Sequence, residues 1–153
     1  MTTPTLLCPY DGSVVPLGDV PDPVLSQGIL GGSLALDPQR HPGTALAPTG
    51  GTVHTRHSHA LIVRPPVGPA VLLHLGVDTV RLRGAGFRPL VEIGDVVAAG
   101  DAVIEWDPAF VAGQGHSPMV VIALLDTPPG ALPVRSGPYR AGDPLIVRTA
   151  RPS

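Results

Sequence analysis

Glycine and proline together fill 39 of the 153 positions, and most of them stand at the edges of short apolar runs. A helix interior disfavours glycine by about 1 kcal/mol and proline by about 3 kcal/mol relative to alanine. A chain punctuated this densely is therefore confined to short elements joined by tight turns. The runs between the breaks read as strands: 13–17 (SVVPL), 33–36 (SLAL), 44–47 (TALA), 52–55 (TVHT), 59–64 (HALIVR), 70–75 (AVLLHL), 102–106 (AVIEW), 118–124 (PMVVIAL) and 144–148 (PLIVR). No segment sustains a helical period; short turns fit near 22–30 and 107–111. The expected class is all-β, an antiparallel sandwich or barrel. With 43% hydrophobic and 14% charged residues the chain can bury a core, which sets it apart from disordered Gly/Pro-rich sequences.

Two internal repeats add to this. Residues 8–15 (CPYDGSVV) match 47–54 (APTGGTVH), aligning Pro9 with Pro48, Gly12 with Gly51, Ser13 with Thr52 and Val14 with Val53. Residues 99–106 (AGDAVIEW) match 141–148 (AGDPLIVR). Two copies are too few for a solenoid. They predict a duplicated turn-then-strand unit inside a single domain spanning 1–153.

Bulk chemistry excludes several functions. The formal net charge is −2 and no basic run occurs, which argues against nucleic acid as a partner. The single cysteine, Cys8, cannot close an intrachain disulfide and is expected to fill core space. The N-terminus lacks the charged and apolar regions of a secretory signal, and no run approaches a membrane span, so a cytoplasmic location is expected.

Chemistry concentrates in the histidines. Of the six (His41, His54, His57, His59, His74 and His116), four lie between 54 and 74. His74 interrupts the apolar run AVLLHL, where strand alternation puts it on one face with Leu72 and Gly76, and puts Val71, Leu73 and Leu75 on the other. The same alternation groups His57 and His59 with Leu61 and Val63. If the two strands are neighbours, His59 and His74 meet across the sheet. The plain alternative is a buried histidine whose nitrogens simply find partners. Two imidazoles in one apolar setting would each disfavour protonation, leaving a neutral ring able to act as nucleophile or metal ligand.

Three functions compete for such a pair. Residues 91–107 (VEIGDVVAAGDAVIEWD) look like half of a biotinyl or lipoyl carrier, but those domains attach their cofactor to lysine and all ten basic residues here are arginine. A zinc hydrolase would use His57 and His59 as an H-x-H pair with His74 and Asp78 as H-x-x-x-D. The lysostaphin-like endopeptidases carry these motifs in the opposite order and far apart, whereas here 15 residues separate His59 from His74.

The third is a phosphohistidine domain. Residues 9–32 (PYDGSVVPLGDVPDPVLSQGILGG), 47–63 (APTGGTVHTRHSHALIV), 71–107 (VLLHLGVDTVRLRGAGFRPLVEIGDVVAAGDAVIEWD), 117–124 (SPMVVIAL) and 141–147 (AGDPLIV) occur in the order and spacing of one family. In these segments the chain resembles the glucose-family IIA domain of the bacterial phosphoenolpyruvate-dependent sugar phosphotransferase system. The resemblance implies the function. His74 would accept a phosphoryl group from the carrier HPr. His59 would stabilise it, Gly76 would orient the His74 ring through its carbonyl, and Asp78 would be the signature acid. Pro23, Val24, Leu25, Ile29, Leu30, Leu72 and Leu75 would form an apolar partner surface. The group would pass to a cysteine of a IIB domain of a sugar permease of the glucose, N-acetylglucosamine or β-glucoside class. Cys8 is not that cysteine.

No cofactor beyond the covalent phosphoryl group is implied. Zinc at His59 and His74 would be adventitious. A purely regulatory role, binding transporters or metabolic enzymes according to phosphorylation state, is the further alternative. The Met start and the lack of flanking domains fit a free-standing IIA. Three departures stand out. His57 occupies a position where the family has threonine, GILGGS lacks the family's acidic residue, and leucines replace its phenylalanines around the site.

Overall fold

The computed structural model describes residues 5–148. Among the described residues there are twelve strands: β1 (Gly12–Val15), β2 (Gly31–Pro38), β3 (Gly43–Leu46), β4 (Gly51–Arg56), β5 (Ala60–Arg64), β6 (Val71–Leu75), β7 (Phe87–Pro89), β8 (Val96–Val97), β9 (Ala102–Trp106), β10 (Val120–Leu125), β11 (Gly130–Ala131) and β12 (Gly137–Tyr139). One short helix, α1 (Pro108–Gly113), and 3₁₀ turns at Leu17–Asp19, Leu25–Gln27 and Thr79–Leu82 complete the regular structure. The expected strands 33–36, 44–47, 52–55, 59–64, 70–75, 102–106 and 118–124 correspond to β2–β6, β9 and β10. The run 13–17 stops at Val15 because Pro16 brings in a 3₁₀ turn. Residues 144–148 form only isolated bridges, Leu7 with Pro144 and Val134 with Val147. The strands not foreseen, β7, β8, β11 and β12, are two or three residues long, too short to carry a period-2 signal.

A nine-stranded sheet runs β12-β1-β2-β10-β6-β5-β4-β8 with β11 added against β2, and a three-stranded sheet runs β3-β9-β7. Every pairing is antiparallel except β11 with β2. The two sheets bury a common core. Ala45, Val103, Ile104 and Trp106 from the small sheet join Val14, Leu36, Val53, Leu61, Leu73, Leu75 and Val120 from the large one. β2 and β10 are buried on both faces. Their outward residues Ala35 and Val121 lie under Leu17, Val20, Leu25 and Val77 in a second cluster. Residues 17–27 thus lie as a strap over the outer face of the sheet.

The repeats fold alike and clamp one another. Ala47 N–H donates to the Asp101 carbonyl (2.8 Å) and the Ala47 carbonyl accepts from Gly100 N–H (2.8 Å); Cys8 does the same with Asp143 (2.7 Å) and Gly142 (2.8 Å). Leu46 N–H donates to Pro9 O and Leu7 N–H to Pro48 O, both at 2.9 Å. These bonds are exchanged in pairs, as a two-fold relation between the copies requires. Each Asp carboxylate also closes its own turn, Asp101 accepting from Ala98 N–H and Asp143 from Arg140 N–H. Gly12 and Gly51 are bound to their type for the same reason: a Cβ would stand 2.4 Å from the Asp37 carbonyl oxygen or 2.3 Å from that of Arg64.

Candidate functional site

β6 alternates as its pattern requires. Val71, Leu73 and Leu75 are fully buried, while Leu72 and His74 are half-buried on the outer face. His74 lies between Ala60 of β5 and Val121 of β10 in the ladder. The strap passes close enough for Asp22 to act on its charge.

His59 arrives by a different route from the one expected. Strict alternation groups it with Leu61 and Val63, but those two point into the core. His59 instead belongs to the turn 57–59 before β5 begins at Ala60. A register shift between Val53 and Thr55 leaves His54 without a partner on β5. Such a bulge twists the end of its strand, here the arm leading into that turn. Outside the pleat the His59 ring is free to swing to the outer face, while its carbonyl stays pinned by Leu75 N–H (2.8 Å). Its ring centroid lies 5.1 Å from that of His74, edge to face at 78°. On its other side His57 stacks at 5.8 Å and 27°.

The His74 ring is oriented by its own turn. Nδ1 lies 2.7 Å from the Gly76 carbonyl oxygen. A carbonyl only accepts, so in the neutral ring Nδ1 carries the proton and Nε2 keeps its lone pair. Gly76 sits at φ +81°, and a Cβ there would stand 2.4 Å from Thr79 Cγ2 and 3.1 Å from the Ser117 carbonyl oxygen. Glycine is required on both counts. Thr79 Oγ1 donates to the Leu75 carbonyl (2.7 Å) and braces the same turn, which Asp78 leads at φ +58°.

Electrostatics keep both facing rings neutral. Burial first, then the neighbouring charges of His74 and His57, push His59 down to about 4. Burial is also the largest influence on His74 and lowers it; the Gly76 bond, Asp22 and Asp78 pull the other way. A neutral imidazole with a free, fixed Nε2 is a nucleophile and a general acid–base group.

The rings line a pocket of about 290 Å³ with Thr55, Ile62, Leu72 and Val80. Larger hollows of about 510 and 710 Å³, beside Trp106 and Arg40, contain no facing imidazoles. Size therefore does not mark the site. Val80 at the pocket is 65% exposed; Pro23 and Val24 on the strap and Ile29 and Leu30 just after it are exposed too, the last three at 44, 54 and 40%.

Two expected surface residues are corrected. Leu75 is 0% exposed and packs in the main core, on the inward beat of β6. Leu25 is 9% exposed and anchors the strap against Val121 and Ala35. The zinc-hydrolase alternative gains no support. Among the described residues no group of three or more His, Cys, Asp or Glu is placed to hold a metal ion.

Asp22 was not singled out from the sequence. Its Oδ1 accepts from Val24 N–H (2.8 Å) and Leu25 N–H (2.9 Å), holding the strap's turn, while its charge acts to raise the His74 pKa. The Asp22-Pro23 dipeptide is the turn signal that marks it. Val80 carried no signal, because only the 3₁₀ turn after Asp78 brings it to the rim.

Comparison with known proteins assigns the class. Residues 4–128 match the family model for the phosphoenolpyruvate-dependent sugar phosphotransferase system, EIIA 1. The chain belongs to this family of sugar-phosphotransferase components. It is 34% identical over 125 residues to the glucose-specific EIIA component of Oceanobacillus iheyensis, covering 80% of this chain and 74% of that protein. It is 39% identical over 145 residues to the β-glucoside-specific EIIBCA component of Dickeya chrysanthemi, covering 92% of this chain but 23% of the relative. The glucose permease IIA of Mycoplasma capricolum superposes with a TM-score of 0.82 at 30% identity over 95% of both chains. Among the described residues no helix is long and apolar enough to cross a membrane.

Proposed function

We propose that the chain, residues 1–153 acting as one cytoplasmic EIIA domain, carries a phosphoryl group on His74 Nε2 from phospho-HPr to a cysteine of a permease IIB domain of the glucose, N-acetylglucosamine or β-glucoside class. The observation that carries this reading is the 2.7 Å contact between His74 Nδ1 and the Gly76 carbonyl, which leaves Nε2 of the neutral ring unprotonated. Nε2 attacks the donor phosphorus in line; its bond to phosphorus forms as the donor nitrogen–phosphorus bond breaks. Nδ1–H stays on its carbonyl throughout, so the transfer needs no proton rearrangement at His74. The second step reverses the roles, with the acceptor thiolate displacing Nε2. Catalysis rests on positioning and charge compensation.

His59, 5.1 Å away, donates a hydrogen bond to the phosphoryl oxygens. The exposed apolar side chains of Val24, Ile29 and Leu30, with Leu72 and Val80 at the pocket, dock the partner and exclude water that would hydrolyse the phosphoramidate. EIIA, EIIB and EIIC parts share one chain in the Dickeya chrysanthemi relative, which supports a permease as the acceptor.

The test is incubation with phosphoenolpyruvate, enzyme I and HPr. Wild-type protein takes up acid-labile label and His74→Ala takes up none. His59→Gln is labelled but transfers poorly to IIB. Equal labelling of His74→Ala and wild type would refute the assignment.

A further inference from the structure

We propose that His57 is a second phosphoryl-binding residue, whose imidazole turns to the oxygens of the group carried on His74 and supplies positive charge that the pocket otherwise lacks. The inference rests on the phosphocarrier reading above.

A phosphoryl group on an imidazole brings nearly two negative charges at neutral pH, each oxygen seeking a donor. The pocket around His74 offers few cations. Its lining holds no arginine; His57 and His59 are the ionisable side chains there besides His74 itself. The acids whose charges act on His74 are Asp22 on the strap and Asp78 ahead of the 3₁₀ turn. A dianion placed among them is electrostatically exposed unless a histidine takes a proton. His59 is 9% exposed and neighboured by the rings of His57, His74 and Phe87, so charging it costs desolvation. His57 has no such burden. It is exposed, stacked on the outer side of His59, and lines the same pocket. Its backbone is anchored by a 2.7 Å bond from its N–H to the Ala60 carbonyl, so the side chain can rotate on a fixed base. It also lies near enough to His74 for their charges to interact.

The proton comes from solvent, which sets the signature. When His74 is phosphorylated, His57 gains a dianionic neighbour, which favours its protonated form. By reciprocity, protonating His57 favours the phosphorylated protein.

The experiment uses wild type, His57→Gln and His57→Thr, phosphorylated through phosphoenolpyruvate, enzyme I and HPr. Two quantities are followed: the ¹⁵N titration of His57 with and without phosphoryl, and the phosphoryl distribution against HPr at pH 6 and 8.5. The donor's own pH dependence is common to all three proteins and cancels. The midpoint of His57 is expected to move up. Both variants should hold less phosphoryl than wild type at pH 6, by several-fold, and match it at pH 8.5. A purely structural His57 would shift both pH values equally. Label on wild-type His74 with an unmoved His57 midpoint overturns this inference alone. Absence of label from the wild type overturns the phosphocarrier reading and this inference with it.

Discussion

Acid should weaken this fold through His59, by an amount the site geometry sets. The ring is 9% exposed and faces His74 and His57 at 5.1 and 5.8 Å. Burial, with those two neighbours, pushes it from 6.5 to about 4. In the unfolded chain the same imidazole binds its proton near 6.5. Between pH 6.5 and 4 the unfolded state therefore holds more protons than the native one, and stability falls as pH falls. Above about pH 7 the contribution is complete and flat. At about 1.36 kcal/mol per pH unit, the loss approaches 3 kcal/mol at pH 4, and about 2 kcal/mol is gone by pH 5. His74 is displaced in the same direction and adds to the slope. Denaturant unfolding at pH 7 and pH 5 measures it, with His59→Gln as control. Wild type should lose about 2 kcal/mol more than the variant over that interval. A His59 NMR titration midpoint near 6.5, or equal losses for the two proteins, would refute the reasoning.

Gly76→Ala places a Cβ 2.4 Å from Thr79 Cγ2 at φ +81°; a cost of about 2 kcal/mol is expected, visible as a lower melting temperature. Its carbonyl should also release His74, so ¹⁵N spectra would show both neutral tautomers instead of one. Adjacent residues on β6 should behave oppositely. Leu73→Ala empties a fully buried site and should cost about 3 kcal/mol in denaturant unfolding. Leu72→Ala, half-buried at the pocket, should cost less than about 1 kcal/mol yet slow phosphoryl exchange with HPr in rapid-quench kinetics. Asp22→Ala removes the acceptor for Val24 and Leu25 N–H; hydrogen exchange should quicken at those two amides, with about 1 kcal/mol lost from the strap.

The sequence by itself determined the class of fold, the duplication and the identity of the central ring. Short apolar runs cut by glycine and proline admit little besides strands, and the repeated Gly-Asp turns fold alike because each Asp closes its own turn. Strand alternation was enough to set His74 outward and Leu73 inward, since the pleat is a local property of the backbone. Tertiary structure decided the rest. His59 reaches His74 because a bulge in β4 and a turn release it from the alternation that binds Leu61 and Val63. Leu25 and Leu75 are buried rather than exposed because the strap is pinned across the sheet and β6 turns Leu75 into the core. The short strands β7, β8, β11 and β12 exist because neighbouring backbone offers them partners, and Asp22 acts on His74 because the strap lies across the outer face of the sheet. Each depends on contacts between residues distant in the chain, which a pattern read along the chain does not contain.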